Sequence, residues 1–409
     1  MKPDKARKLL LAGYRLQEKR LKFFPDKRLP ASGQYVARIV MQNIIKALAK
    51  PEDTALVSIF VPGELLTAAG IVPYSVEAMS CFLAGTKCEQ ALLAESEIEG
   101  FPETMCSYHR VFLGAAMTGL VPKPKCTIYT NLACDGNMMT FPYLKEEYQI
   151  PGFYIDVPYE KSRDSVIYVA NQLRELKVFL EDITEKKISE EAVQKSVARS
   201  KEASTNYNKQ LALRKHHDPV SSLTNEVYAL FMCHLLAGSP EAVKYTKLLL
   251  EDVEKAPDAQ GLLVLWMHMM PYLQKPAIDV FNYSDAIHIG ACDFVADGFQ
   301  QMHGDDPYEA LAGKMVNCIY NGSVDQRLQR DIELAELMGA DGGIVFAHWG
   351  CKNIIGASGL IKNAMEDAGF PTMILDGDGC NPVNSSDGQV ATRLQAYCEM
   401  LEKNKGADL

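Results

Sequence analysis

The sequence contains no apolar run long enough to cross a membrane and no beginning typical of an exported protein. The longest runs without Asp, Glu, Lys or Arg lie around 227–240 and 261–274, and both are shorter than the roughly 18 residues that a spanning helix needs. A charged segment, an apolar segment and a small-residue cleavage site do not follow one another at the start, as they do in a signal peptide. The first 31 residues contain no Ser, unlike a mitochondrial presequence. We therefore expect a cytoplasmic protein without a membrane span.

Sequence motifs of several common enzyme classes are also absent. The chain has no G-x-x-x-x-G-K-[ST] phosphate loop, no H-E-x-x-H zinc motif and no G-x-S-x-G nucleophile elbow. It also has neither a C-x-x-C pair nor the cysteine spacing of a ferredoxin. These absences argue against a P-loop nucleotidase, a zinc peptidase, a serine hydrolase and a ferredoxin.

Cysteine, by contrast, is abundant. The 409 residues include eleven Cys within a composition of 47% apolar and 23% charged residues, which is typical of a soluble globular protein. Without a sign of export, the thiols are expected to be reduced, and to serve as core residues, nucleophiles or metal ligands. A free Cys is most often a small buried hydrophobe. We predict that role for the cysteines inside apolar helical or strand patterns, Cys81, Cys88, Cys126, Cys233 and Cys398.

The charge is distributed unevenly. The net charge is −10, yet residues 1–50 hold 13 Lys or Arg against three acidic residues. A basic segment of this kind can bind nucleic acid, an anionic membrane surface or a phosphate-bearing ligand. Apolar residues also recur there at helical spacing, so we interpret the basic residues as the solvated face of an amphipathic helix. The residues predicted on that face are Lys5, Lys8, Arg15 and Lys19. We expect no nucleic-acid partner.

The order of apolar patterns predicts two parallel α/β domains. A helical segment is expected over 1–50, a first α/β domain over 51–160, a helical connecting segment over 161–255 and a second α/β domain over 256–409. Short apolar runs predict the strands of both domains, at Ala55–Val61, Ile71–Val76, Thr127–Asn131, Gly152–Val157, Gly261–Trp266, Ala286–Gly290, Gly343–Ala347 and Thr372–Leu375.

The remaining cysteines fall next to these strands. Cys134, Cys292 and Cys351 lie just beyond predicted strands, Cys380 closes the turn after another, and Cys106 opens a helical pattern. Ligands of parallel α/β sheets bind outside the carboxyl ends of the strands, so thiols from both domains are expected to converge on one cleft. Cys106, Cys134 and Cys351 are predicted at loop-to-helix junctions, where helix N–H groups stabilise a thiolate.

The residue types alone leave the nature of this site open. Dispersed thiolates are one interpretation, and zinc held by three Cys and a His, either His348 or His109, fits equally well. Cys318 has no assigned role at this point. His268 lies in the apolar run Trp266-Met-His-Met-Met, and we predict a core histidine there.

Three cysteine contexts together resemble the 2-hydroxyacyl-CoA dehydratase family, which includes benzoyl-CoA reductase subunits and double-cubane-cluster proteins. The contexts are Cys106-Ser-Tyr-His-Arg, Cys134-Asp-Gly-Asn-Met-Met and His348-Trp-Gly-Cys351-Lys. The closing stretch Asp376-Gly-Asp-Gly-Cys-Asn-Pro is similar to the end of the α-type subunit. The resemblance extends over about 50–403 and implies two flavodoxin-like α/β domains with helical N-terminal and connecting segments.

The resemblance implies an iron–sulfur cofactor. Family members hold a 4Fe–4S cluster between the domains through three Cys ligands, with one open iron site, and the matching residues are Cys106, Cys134 and Cys351. A double-cubane 8Fe cluster, as in relatives that use six cysteines, is an alternative to which Cys292 and Cys318 would belong, although a full set of six is not visible. The implied reaction is the loss of water from an (R)-2-hydroxyacyl-CoA through a ketyl radical, of the kind used in anaerobic amino-acid fermentation.

The resemblance also implies partners and a catalytic carboxylate. The partners are a β-type dehydratase subunit or a second copy of this chain, an ATP-hydrolysing iron–sulfur activator protein and the acyl-CoA substrate. Glu77 matches the carboxylate of the α-type subunit. The serine of the dehydratases would align near Ile59, so it is missing or shifted to Ser58. Two alternatives are an ATP-dependent low-potential reductase of the benzoyl-CoA reductase or double-cubane type, and a non-catalytic electron-transfer or zinc structural protein.

Overall fold

Two four-stranded parallel sheets organise the chain. The computed structural model describes residues 2–407. The strands are β1 (Thr54–Val57), β2 (Val72–Ser75), β3 (Cys126–Thr130), β4 (Gly152–Ile155), β5 (Leu262–Met267), β6 (Ile287–Cys292), β7 (Gly342–His348) and β8 (Thr372–Gly377). The first sheet has the order β2-β1-β3-β4 and the second the order β6-β5-β7-β8, with every pair parallel. The predicted fold class is confirmed, and each predicted strand overlaps an observed one.

Helices surround and connect the sheets. They are α1 (Pro3–Phe23), α2 (Ala31–Ala49), α3 (Gly63–Ala69), α4 (Val76–Ala84), α5 (Glu89–Ile98), α6 (Ser107–Met117), α7 (Asn137–Tyr148), α8 (Arg163–Thr184), α9 (Glu190–Leu213), α10 (Leu223–Leu230), α11 (Pro240–Glu254), α12 (Lys275–Tyr283), α13 (Asp293–Gly298), α14 (Pro307–Val316), α15 (Asp325–Met338), α16 (Lys352–Asp367) and α17 (Asp387–Ala407). Among residues 2–407, no helix combines the length and the apolar composition that crossing a membrane requires.

The central strands are apolar because helices cover both faces of a parallel sheet. β5 reads Leu-Leu-Val-Leu-Trp-Met and β7 reads Gly-Gly-Ile-Val-Phe-Ala-His, and every residue of both strands is buried. β1 is equally buried along its whole length. Continuous apolar runs rather than alternating ones therefore marked these strands in the sequence.

Serine side chains fix where several helices begin. In each case the Ser hydroxyl accepts a hydrogen bond from the backbone N–H three residues later, which satisfies a donor that has no partner inside the helix. The residues that cap helices in this way are Ser75, Ser162, Ser189, Ser222 and Ser239. Ser162 and Ser189 thus fix the starts of α8 and α9, the two long helices of the connecting segment.

The helices between the sheets hold the two domains together. α9 packs against α11 and against α3 of the first domain, while α8 packs against α14 of the second. Direct polar contacts add to this, since Lys161 Nζ donates to the Cys318 carbonyl (3.1 Å) and Asn321 Nδ2 donates to the Pro158 carbonyl (2.9 Å). The carboxyl ends of both sheets face a common space between the domains.

The N-terminal helix lies on the first domain. Of α1, only Tyr14 is buried, with its hydroxyl donating to the Phe82 carbonyl (3.0 Å) on α4. The residues predicted on its solvated face, Lys5, Lys8, Arg15 and Lys19, are all exposed. The four basic side chains thus face solvent, but Leu9 and Leu16 are exposed as well, so this helix does not bury one continuous apolar face.

Candidate active site

A cavity of about 390 Å³ lies between the two domains, at the carboxyl ends of their strands. Residues that follow β1, β2 and β3 line it from one side, and residues that follow β5 and β7 line it from the other. In each sheet the strand order reverses next to the first strand, between β1 and β3 and between β5 and β7. Such reversal points are where open parallel sheets leave a crevice for a ligand, and here two crevices face each other.

Three thiols enter this cavity from the beginnings of three helices. Cys106 precedes the first residue of α6, Cys351 precedes the first residue of α16, and Cys134 lies in the loop before α7. All three line the cavity. Backbone N–H groups of the following helical turn point at each sulfur and oppose the rise of its pKa. The expected loop-to-helix settings of these cysteines are confirmed.

Burial has a larger effect on the pKa of the three thiols than these N–H groups have. It raises the pKa of the Cys106, Cys134 and Cys351 thiols above its ordinary value, and charges on Cys134 and Cys351 raise that of Cys106 further. The thiolates expected from the helix ends are therefore not the stable form of the metal-free protein, because a negative charge in this enclosed site lacks solvent. A bound cation would reverse that balance and release the protons.

Each thiol of the cavity has a histidine ring beside it. The Cys106 Sγ lies 3.2 Å from His348 Nε2, the Cys134 Sγ lies 3.3 Å from His109 Nε2, and the Cys351 Sγ lies 3.6 Å from His268 Nε2. The three rings are 0 to 6% exposed, and burial lowers the pKa of each. The site is thus a set of three Cys–His pairs with neutral rings.

His268 is not the core histidine that the sequence predicts. It is buried, as expected, but its ring lines the cavity and its Nδ1 has no hydrogen-bond partner among the described residues. Its backbone has a φ of 82°, an unusual value for a residue other than glycine. The backbone N–H donates to Asp293 Oδ1 (2.7 Å), which holds this conformation. The turn at the end of β5, which apolar runs do not reveal, brings the ring to Cys351.

Glu77 extends into the same cavity from the first turn of α4, directly after β2. It is 8% exposed, and its Oε2 has no hydrogen-bond partner within residues 2–407. Burial raises the pKa of Glu77 from 4.5 to about 7, although hydrogen bonds from Ser75 and from the Ile59 backbone act in the opposite direction. A carboxyl that titrates near neutral pH can both give and accept a proton.

Ser58 is not placed to supply the dehydratase serine that is missing from position 59. It directly follows β1, is fully buried, and accepts a hydrogen bond from the Thr130 backbone N–H (3.3 Å). It is absent from the cavity wall, whereas Ile59 and Phe60 contribute to it. The position next to Glu77 is therefore apolar.

The rest of the wall is largely apolar and joins the two domains. Phe60 of the first domain packs edge-on against Phe294 of the second (5.3 Å between ring centres) and in a tilted arrangement against Tyr320 (5.9 Å). At the exposed rim, Lys352 and Asp135 form an ion pair (3.4 Å) across the two domains. The cavity thus has a low-polarity interior and a charged entrance.

The other cysteines lie elsewhere. Cys292 and Cys318 are buried, with their thiols donating to the His268 carbonyl (3.5 Å) and to Asp297 Oδ2 (3.1 Å). Cys380 is buried against Cys81. Of the cysteines predicted in the core, Cys81, Cys126 and Cys233 are buried, while Cys88 and Cys398 are partly exposed. Only Cys106, Cys134 and Cys351 of the eleven line the cavity.

Residues 58–401 match a family model described as the D-component of 2-hydroxyglutaryl-CoA dehydratase. The chain belongs to this family. Among its relatives are the (R)-phenyllactyl-CoA dehydratase alpha subunit of Clostridium sporogenes, 24% identical over 85% of this chain and 89% of the relative, and the lactoyl-CoA dehydratase alpha subunit of Anaerotignum propionicum, 22% identical over 90% and 94%. A benzoyl-CoA reductase subunit of Thauera aromatica is 22% identical over 88% of this chain and 92% of its own length.

Membership in the component D family confirms the resemblance drawn from the cysteine contexts. The matched range contains Glu77 and all three Cys–His pairs. At the level of the family, the chain is a dehydratase-type subunit.

Proposed function

We propose that this chain is the iron–sulfur subunit of a 2-hydroxyacyl-CoA dehydratase-type enzyme. The observation that carries the proposal is the convergence of three thiols from separate helix starts and one raised-pKa carboxyl on a single cavity between the domains. Membership in the component D family supports the dehydratase class.

The thiols fit a cluster better than a single metal ion. Within residues 2–407, no three His, Cys, Asp or Glu side chains converge closely enough to hold one ion. Zinc, with Zn–S distances of about 2.3 Å, needs its sulfur ligands within about 4.6 Å of one another. A cluster of four irons binds each thiolate through a different iron, so its ligands need not converge on one point. This geometry favours an iron–sulfur cluster over the zinc alternative, and the absence of further cysteines from the wall favours the 4Fe–4S form over the double cubane.

The chain's own residues then have distinct tasks. Cys106, Cys134 and Cys351 would hold the cluster and leave one iron open. When bound, such a cluster would supply the low-potential electron that reduces the thioester carbonyl. The apolar wall excludes water, which would otherwise quench a ketyl radical on the substrate.

Glu77 is the residue that handles protons. In its protonated form it donates to the hydroxyl that leaves the carbon next to the thioester carbonyl, since a departing hydroxide needs a proton. The free Oε2 is the atom available for this transfer. A carboxyl with a pKa of about 7 is present in both forms at neutral pH and can return to the protonated state in each turnover.

Metal analysis tests the cofactor. Protein purified without oxygen is assayed for iron and acid-labile sulfide and examined by electron paramagnetic resonance. About four irons per chain support the proposal, about eight favour the double cubane, and zinc without iron refutes it. Replacement of Cys106, Cys134 or Cys351 by Ser should reduce the iron content, whereas the strand residue Cys126, which is fully buried in β3, provides the matched control.

An activity assay tests the reaction. The protein is combined with an ATP-hydrolysing iron–sulfur activator, ATP, a reductant and a β-type subunit, and (R)-2-hydroxyacyl-CoA esters of different side chains are supplied. The relatives named alpha subunits support a β-type partner, and omission of that subunit tests whether a second copy of this chain replaces it. Formation of the enoyl-CoA ester with only catalytic amounts of reductant is the expected result.

The apolar Ile59 beside Glu77 favours a second candidate, an ATP-dependent reductase of aromatic or other small acyl-CoA esters. The benzoyl-CoA reductase relative supports it. Electron stoichiometry separates the two functions, because water elimination is redox-neutral and a reductase consumes two electrons for each product formed.

A further inference from the structure

The pairing of thiols with histidines is confined to the cavity. Among residues 2–407, the Cys–His hydrogen-bond distances are those of Cys106 with His348, Cys134 with His109 and Cys351 with His268. The chain has eight His and eleven Cys, and in the described range none of the other cysteines has a histidine nitrogen as its hydrogen-bond partner. The three rings also come from different elements, namely α6, the end of β7 and the turn after β5. Because three rings from three elements each contact one thiol of the cavity, a common function of the rings is indicated.

The hydrogen bonds of His348 decide which of its two ring nitrogens carries the proton. Its Nδ1 accepts a hydrogen bond from the Gly379 backbone N–H (3.1 Å). A backbone N–H can only donate, so Nδ1 carries no proton and the ring proton is on Nε2. That nitrogen faces the Cys106 Sγ at 3.2 Å. The hydrogen bond therefore runs from His348 in the second domain to the sulfur of Cys106 in the first.

The contacts of the other two rings permit the same position of the proton. His109 Nδ1 lies 2.8 Å from Thr140 Oγ1, a hydroxyl that can donate to it and leave the proton on Nε2. A Cβ at Gly136 would lie 2.9 Å from the His109 ring, so glycine at this position leaves room for the imidazole. His268 Nδ1 has no partner among the described residues, which leaves Nε2 free to carry the proton toward Cys351.

We propose that His109, His268 and His348 are positioning residues that each donate an Nε2–H···Sγ hydrogen bond to a cluster thiolate and together raise the reduction potential of the cluster. The inference rests on the proposed iron–sulfur function. A donor at sulfur stabilises the reduced cluster more than the oxidised one, because the reduced form carries one more negative charge, and hydrogen bonds to the sulfurs are among the factors that set cluster potentials. In an apolar cavity this contribution is large, since little solvent is present to replace it.

Paired substitutions of His348 test the inference. His348→Leu removes the donor, whereas His348→Gln places an amide N–H near the position of Nε2. For His348→Leu we expect unchanged iron content and an equilibrium constant for cluster reduction that is roughly tenfold lower, which is about 59 mV more negative for a one-electron couple. His348→Gln should restore most of the difference. His234→Leu, at a buried histidine whose Nε2 has no hydrogen-bond partner among residues 2–407, should leave the potential unchanged. The midpoint is measured by redox titration followed by electron paramagnetic resonance.

Full iron content with an unchanged midpoint in His348→Leu overturns the inference and leaves the proposed function standing. A wild-type protein that binds no iron overturns both. Nuclear magnetic resonance of protein with ¹⁵N-labelled histidine gives a separate answer that needs neither the variants nor the cluster. A protonated Nε2 and an unprotonated Nδ1 at His348 support the assignment, and the opposite tautomer refutes it. If the His348 variants do not fold, the same Leu and Gln pair at His109 is used with the same two outcomes.

Discussion

Replacement of Glu77 by Gln should change how the stability of the protein depends on pH. Burial raises the pKa of Glu77 from 4.5 to about 7 in the folded protein, so the folded state binds this proton more tightly than the unfolded chain does. The contribution of this tighter proton binding to the stability of the folded protein is fully present below about pH 4.5, and it is lost as the pH rises through about 7. The difference between the two pKa values corresponds to about 3 kcal/mol. Glu77→Gln, which is neutral at every pH, should not show this loss.

Thermal unfolding of the two proteins between about pH 5 and about pH 8 measures the effect. With an unfolding entropy of about 2.1 cal/mol/K per residue, 1 kcal/mol shifts the Tm of a chain of this length by roughly 1 °C. Between the two pH values the wild-type Tm should therefore fall by about 3 °C more than that of Glu77→Gln. The exposed Glu95 provides the control, and Glu95→Gln should follow the wild type. Parallel curves for wild type and Glu77→Gln would show that the carboxyl is not buried in the folded protein.

The turnover rate gives a second test of the role of Glu77. Glutamine keeps the shape of the side chain but cannot transfer a proton, so kcat of Glu77→Gln should fall by about 10²–10⁴. An altered stability curve with unchanged kcat would assign Glu77 to packing and remove it from the mechanism.

Three further substitutions test the architecture. Cys134→Ser should lower the iron content of protein prepared without oxygen, as measured by iron and sulfide analysis, while Cys126→Ser should retain it; equal iron in both would contradict the ligand assignment. Gly350 has a φ of 82°, and a Cβ there would lie 2.8 Å from the Cys106 backbone N, so Gly350→Ala should lower the free energy of unfolding by about 1–3 kcal/mol or more. Gly359 lies inside α16 with nothing within 4 Å of its added Cβ, so Gly359→Ala should instead raise it by about 0.5–1 kcal/mol in urea unfolding. A lower free energy of unfolding for Gly359→Ala, or an unchanged one for Gly350→Ala, would contradict the packing described at these two glycines.

Local patterns in the sequence predicted much of the fold. The runs that became β5 and β7 are apolar along their length, as strands covered on both faces must be. Ser162 and Ser189 are local signals as well, since their hydroxyls cap the first turns of α8 and α9. These signals act over a few residues. The shared strand order of the two sheets, by contrast, follows from how distant segments pack.

The sequence likewise predicted only part of the candidate site. The contexts of Cys106, Cys134 and Cys351 were visible as loop-to-helix junctions, because a helix start is a local event. Of their histidine partners, His348 and His109 were predicted only as alternative zinc ligands, without a particular thiol, and His268 was assigned to the core because its neighbours in sequence are apolar.

The sequence by itself determined which segments form strands and helices and which thiols stand at helix starts. Tertiary structure alone decided the Cys–His pairs, whose members are 25, 83 and 242 residues apart, and the burial that raises the pKa of Glu77. The physical reason is that capping and apolar periodicity depend on neighbours along the chain. Desolvation and sulfur–imidazole contact depend on two sheets turning their strand ends toward one cavity.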